Sequence, residues 1–211
     1  TLLVPLSGRL FVYERASGKL TELPDEGGTA IDPQLSPDGR HVATVRDGDL
    51  YVIEVATRRQ RRLTRDASGT LSNGLAEFVA QEEMQRRQGF WWSPDARQIA
   101  FQRTDVSAVE TLYIGDPADP SKPAQPWRYP RAGRDNASVQ LFVVEVRGGT
   151  PREVRWDRER YPYLAAVRWD PQAPLTLTAA VQHTLTILDN DDTAVSLAAS
   201  GVLAYSAKID A

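Results

Sequence analysis

One turn sequence occurs twice with the same kind of strands behind it, and it restricts the fold more than any other feature of the chain. Leu35-Ser36-Pro37-Asp38-Gly39 leads into His41-Val42-Ala43-Thr44-Val45 and then Asp49-Leu50-Tyr51-Val52-Ile53. Trp92-Ser93-Pro94-Asp95 leads into Gln98-Ile99-Ala100-Phe101 and then Thr111-Leu112-Tyr113-Ile114. Proline presets φ at the first turn position, and Asp and Gly tolerate the tight reversal that follows, so each S-P-D marks a turn between antiparallel strands. The strand at 49–53 is apolar on both faces, with Leu50 and Val52 alternating against Tyr51 and Ile53. A sheet apolar on both faces has to be covered on both, which is the situation of a blade between two neighbours in a β-propeller.

A weaker copy of the unit begins at Val167-Arg168-Trp169-Asp170-Pro171, and Gly8 to Tyr13 with Gly18 to Thr21 matches the later strands of a preceding unit. Arg59 to Thr64 supplies a fourth, outer strand to the unit that begins at Leu35. The expected fold is therefore all-β: residues 1–211 form part of a β-propeller, in about four partial or whole blades at approximately 1–24, 30–65, 75–155 and 163–205. The unit at Trp92 is the longest, and its excess, Gly115 to Asn136, is rich in Pro, Asp and Gly and reads as a long loop or extended excursion. After Pro174 the pattern weakens: Leu175 to Thr178 and Thr184 to Leu188 read as strands, while 194–211 gives no clear reading.

Composition removes several functions. A net charge of −3 gives no reason to expect nucleic acid or an anionic membrane as partner. The absence of cysteine excludes disulfides, thiolate metal sites and a cysteine nucleophile. No stretch approaches the apolar length of a membrane-spanning helix. The opening TLLVPLSGRLFVY reads as paired strands, so the chain is expected to be a segment of a longer protein.

One segment does not recur. Asn73 to Asp95, NGLAEFVAQEEMQRRQGFWWSPD, carries a run of good helix formers from about Leu75 to Arg87, with Asn73 placed as N-cap and Gly89 as stop. Leu75, Phe78 and Val79 would dock the helix onto the sheets. The adjacent acids Glu82 and Glu83 allow two readings. They are a solvated face paired with Arg86 and Arg87 at i+4, or they converge on a cation such as an ammonium, whose three donors need several acceptors. Adjacent helical residues diverge by about 100°, so convergence requires the cation to approach the side or end of the helix.

Three segments together resemble the N-terminal propeller of the dipeptidyl peptidase IV family of serine exopeptidases: A-E-F-V-x-x-E-E-M running into W-W-S-P-D at Ala76 to Asp95, Y-P-R-A-G-x-x-N at Tyr129 to Asn136 followed by the strand Val139 to Val144, and the S-P-D-G…D-L-Y-V pattern. The resemblance covers about residues 1–170. It implies a generally eight-bladed propeller joined to an α/β-hydrolase domain that is absent here, and release of N-terminal dipeptides with Pro or Ala second. It also implies binding of the substrate's free α-amino group by Glu82 and Glu83. A homodimer and a periplasmic or secreted location are further family expectations. The chain alone is expected to be inactive and contains no catalytic residue: it has no G-x-S-x-G elbow, and its only histidines are His41 and His183. The family's carbonyl-contacting arginine has no secure match; Arg9 lies in the region but on a strand past that position.

No cofactor and no metal are expected. His183 has no second ligand nearby, and Asp189-Asn190-Asp191-Asp192 lacks the glycine and distal glutamate of a calcium loop. Arg58-Arg59-Gln60-Arg61-Arg62 reads as charge on an outer edge strand. Trp91 and Trp92 read as core, since consecutive strand residues face opposite ways. Trp127 and Tyr129 either line a pocket or pin a long loop. Two alternatives to the exopeptidase stay open: a non-enzymatic propeller binding module, and the propeller of a related oligopeptidase without strict N-terminal selection.

Overall fold

The computed structural model describes residues 1–172 and 175–180 throughout, and the backbone of three further strands, His183–Leu188, Ala194–Ala199 and Tyr205–Lys208. Asp189 to Asp192 and the side chain of His183 lie outside the described residues. Successive antiparallel sheets follow one another along the chain, as the repeat requires. The first is β1 (Leu2–Leu6), β2 (Arg9–Glu14) and β3 (Lys19–Glu22); the second is β4 (Ile31–Leu35), β5 (His41–Arg46), β6 (Asp49–Glu54) and β7 (Gln60–Arg62), each paired in sequence order. The third is built from β8 (Leu71–Asn73), β9 (Phe90–Trp92), β10 (Gln98–Asp105), β13 (Ser138–Glu145) and β14 (Arg152–Val154). Between β10 and β13 a separate hairpin, β11 (Thr111–Ile114) and β12 (Gln125–Arg128), stands off as an arm. Last come β15 (Tyr163–Arg168), β16 (Thr176–Ala180), β17 (His183–Leu188), β18 (Ala194–Ala199) and β19 (Tyr205–Lys208). Here β16 pairs both β15 and β19, and β17 pairs β18. Strands thus occupy part of the tail that carried no clear sequence signal.

The S-P-D turns are built alike. Ser36 Oγ donates to Asp38 Oδ1 (2.6 Å) and accepts from the His41 amide (2.9 Å), while Ser93 Oγ donates to Asp95 Oδ1 (2.7 Å) and accepts from the Gln98 amide (2.9 Å). Three apolar clusters then join neighbouring sheets face to face. Leu10 and Val12 meet Val42 and Ile53; Val45 and Leu50 meet Phe90, Ile99 and Phe101; Trp91, Ala100 and Leu141 meet Leu164 and Leu177. The two-sided apolar strands therefore do fill both faces. Trp91 and Trp92 go to opposite clusters, as core residues. Each fully buried aliphatic or aromatic side chain contributes roughly 1.5–3 kcal/mol.

The arm corrects one sequence expectation. Thr111 to Ile114 resembles the third strand of a sheet, but it pairs only with Gln125–Arg128; the third place beside β10 belongs to β13, in register from Gln98↔Glu145 to Asp105↔Ser138. Alternation marks a strand without specifying its partner.

The edge next to β10 is a single strand cut in two. β8 pairs with Arg103 to Asp105 and β9 with Ile99 to Phe101. Gln102, between those stretches, accepts from the Gly74 amide (2.7 Å) and donates its own amide to the Gly89 carbonyl (2.8 Å). The ladder along β10 therefore runs unbroken across the cut, and residues 74–89 leave it as an excursion whose neck is closed by a Leu75↔Gln88 bridge.

Candidate functional site

The excursion carries the single α-helix among the described residues, α1 (Phe78–Glu83). It is shorter than the expected Leu75 to Arg87, for two physical reasons. Leu75 is engaged in the neck bridge, and Gln85 adopts φ +53, which turns the chain after the C-cap, Met84. Asn73 is not the cap. It is fully buried in β8, where its Nδ2 donates to Asp49 Oδ1 (3.0 Å) and Asp66 Oδ1 (2.8 Å) and its Oδ1 accepts from Arg103 Nε (3.1 Å). The cap is Glu77, whose carboxylate accepts from the Val79 (2.5 Å) and Ala80 (2.9 Å) amides, satisfying donors that every helix start leaves open. Burial pushes the Glu77 carboxyl up, against those two hydrogen bonds and the charge of Arg86. Ala80 is the helix residue that is buried; Phe78 and Val79 are half-buried.

The i+4 pairing of the acids with Arg86 and Arg87, one of the two readings the sequence allows, does not form among the described residues. Arg86 is 8% exposed and turns inward: Nε and Nη2 donate to the Leu164 carbonyl (3.2 and 2.8 Å), Nη2 also to Gln102 Oε1 (2.7 Å), and Nη1 to the Gln88 carbonyl (2.7 Å). Its guanidinium lies 5.7 Å from the centre of the Trp91 ring. Burial pushes its pKa down to about 10, so the group stays charged at neutral pH. One side chain thus ties the end of the excursion to β10 and β15. Gln102 completes the tie through Thr104 Oγ1 (2.8 Å), which donates to the Leu75 carbonyl (3.3 Å).

Glu82 and Glu83 occupy the last positions of α1, are both exposed, and form no salt bridge with any described residue. No basic residue lies in that last turn. A helix C-terminus carries partial negative charge from its open carbonyls, so acids there gain nothing structurally while the negative potential they add suits a cation.

Around the N-terminal end of α1 stand groups whose meeting the sequence did not show, and one, Tyr163, that it did not mark. Phe78 meets Tyr129 edge-on, ring centres 5.1 Å apart at 66°. Asn136 Nδ2 donates to the Tyr163 hydroxyl (2.6 Å), and burial, then the Glu77 charge, push the Tyr163 phenol up. The Y-P-R-A-G-x-x-N segment and the Glu-bearing segment, 45 or more residues apart in the chain, are thus neighbours. Trp127 is exposed on the arm, and Arg9 is an exposed side chain bonded to Glu22 across β2 and β3. A groove of about 2170 Å³ contains no residue of the excursion; it runs among the turns and β7, lined by Arg58, Arg59, Arg61, Arg65 and Arg147.

These features define a propeller segment with a helical insertion in one edge strand. The family model described as the dipeptidyl peptidase IV N-terminal region matches residues 4–188. Dipeptidyl aminopeptidase B of Saccharomyces cerevisiae is 30% identical over 149 residues, 68% of this chain and 18% of that protein. A probable dipeptidyl peptidase 4 of Neosartorya fischeri is 30% identical over 210 residues, 87% of this chain and 27% of that protein. The crystal structure of Porphyromonas gingivalis dipeptidyl peptidase 4 superimposes with a TM-score of 0.73 at 23% identity, over 89% of this chain and 28% of that one, a likeness that establishes the fold. The chain belongs to the dipeptidyl peptidase IV N-terminal-region family and spans less than a third of each of these relatives.

Proposed function

We propose that this chain is the substrate-gating propeller portion of a serine-type dipeptidyl peptidase that releases Xaa-Pro or Xaa-Ala dipeptides, with Glu82 and Glu83 holding the substrate's α-amino group. The observation that carries the reading is the state of the two acids: adjacent, exposed and free of ion pairs with described residues, at the end of a helix fixed at both ends. Charge-assisted hydrogen bonds from an ammonium contribute about 1.5–3 kcal/mol each when partly desolvated. With the amine clamped, only one peptide carbonyl lies at the distance of a nucleophile supplied by a hydrolase domain, which makes the pair a ruler. The arm, with Tyr113, Ile114 and Trp127 exposed, supports the further reading of a homodimer contact.

The test is made on the full-length polypeptide, comparing a Gly-Pro chromogenic substrate with its N-acetylated twin for the wild type, Glu82→Gln and Glu83→Gln. Activity confined to the free amine, and lost in both variants, supports the clamp. Equal activity on the two substrates points instead to an oligopeptidase without N-terminal selection. Folded protein inactive on both leaves a binding module.

A further inference from the structure

α1 has six residues, less than two turns, and a helix of that length has little stability of its own. Its direction is set by what grips it. Arg86 grips the C-terminal side through the Leu164, Gln88 and Gln102 oxygens. On the N-terminal side Glu77 caps the helix from below, and Phe78, its first residue, rests against the Tyr129 ring.

Tyr129 is a fixed post. It directly follows β12, the returning strand of the arm. Its amide donates to the Glu110 carbonyl (3.0 Å). On one side Arg128 Nη1 donates to the carbonyls of Val106 (2.9 Å), Ser107 (3.1 Å) and Val109 (2.8 Å); on the other, Arg131 grips both Glu110 carboxylate oxygens at 2.7 Å. The segment 106–110 that receives these bonds leaves β10 directly, so the post stands on the same sheet from which the excursion departs.

Resting on the amine-binding reading, we infer that Tyr129 is a positioning residue for Glu82 and Glu83, acting through Phe78, so that the root of the arm and the acid pair move as one unit. Tyr129 acts by its ring and not by its hydroxyl. Without the ring, α1 pivots about Arg86 and the two carboxylates no longer converge on one ammonium. Substrate capture weakens, while the chemical step, carried elsewhere, does not.

The experiment uses the full-length polypeptide with free-amine and N-acetylated Gly-Pro chromogenic substrates, comparing Tyr129→Ala, Tyr129→Phe, Phe78→Ala and the Ala/Ala double variant, with Glu82→Gln in parallel. Tyr129→Ala is expected to raise KM for the free amine on the order of two- to tenfold, the range an edge-on ring pair supports. Its kcat stays within about twofold. Tyr129→Phe restores KM, the double variant is no worse than the worse single one, and residual cleavage of the acetylated substrate does not change. A wild-type KM in Tyr129→Ala, or a fall in kcat at constant KM on both substrates, overturns the inference. Loss of amine selectivity in Glu82→Gln with none in Tyr129→Ala overturns the positioning role alone. Unchanged selectivity in Glu82→Gln overturns the amine-binding reading and this one with it.

Discussion

Gly74 and Gly89 touch backbone to backbone: a Cβ built on Gly89 would lie 2.4 Å from the Gly74 carbonyl oxygen and 2.5 Å from its carbon. The contact closes the neck of the excursion, and no side chain fits there. Gly89→Ala is expected to force the neck apart and to destabilise by about 1–3 kcal/mol, the usual effect of overpacking a rigid site. Gly115→Ala, where a Cβ would meet nothing within 4 Å, serves as the neutral control. Urea unfolding of the two variants checks this, and equal midpoints would show that the neck is compliant.

Arg86 offers a second test. Replacing it by Met leaves Gln102 Oε1 and the Leu164 carbonyl without its donors, and each buried orphan costs about 1–3 kcal/mol. Lys does not rescue, because one ammonium cannot span three acceptors that a planar fork reaches. Arg87→Met, at the exposed next position, should change stability by less than about 0.5 kcal/mol. Denaturant midpoints for the three variants decide it.

Two buried carboxylates should shape stability against pH in opposite directions. Burial alone would push Asp49 up, but hydrogen bonds from Thr64, Arg62 and Asn73 together hold it below its ordinary 3.8. Its unfolded form binds the proton more readily, so its contribution is present above that ordinary value and is lost as pH falls through the folded one. Glu77 is raised above its ordinary 4.5 by burial, so its contribution is full below 4.5 and is lost as pH rises through the folded value. Asp49→Asn should flatten the acid limb below about pH 4, and Glu77→Gln should remove the decline just above about pH 4.5. Thermal midpoints measured across that range would contradict the assignment if either variant kept the wild-type slope.

The arm separates stability from association. Tyr113 and Trp127 are 71% and 55% exposed, so replacing both by Ser should shift unfolding by less than about 0.5 kcal/mol per site. If the arm joins two copies, sedimentation of the full-length polypeptide should nevertheless show the variant at half the wild-type mass. A variant that remains dimeric would remove the arm from the interface.

What was legible in the sequence was what is local. Ser36 with Asp38 and Ser93 with Asp95 form their turns from neighbours within a few residues, so the repeat and its strands could be read directly. Asn73 is a good N-cap by type, but Asp49, 24 residues away on another sheet, and Asp66 claim its side chain, and an acid four residues later takes the cap. Arg86 stands four residues after Glu82, yet that spacing has meaning only while the helix continues, and the positive φ of Gln85 ends it first. The partners of Tyr129 and Asn136 could not be read at all, because which loops meet at the helix depends on how whole sheets stack. The two family segments, at Ala76 to Asp95 and Tyr129 to Asn136, carry nothing that shows they touch.

Gln102 faces two residues at once, one on each side of the cut, and so the sheet does not register how much chain lies between them. Beyond the anchors Leu75, Glu77, Ala80, Arg86 and Gln88, residues within 75–88 can therefore change while every strand keeps its partners. An insertion held in this way leaves the strand positions that pack between the sheets in place. Acids displayed from the strand itself would have replaced side chains that now pack between sheets. The division lets the exposed part of the insertion vary while the sheets remain a scaffold.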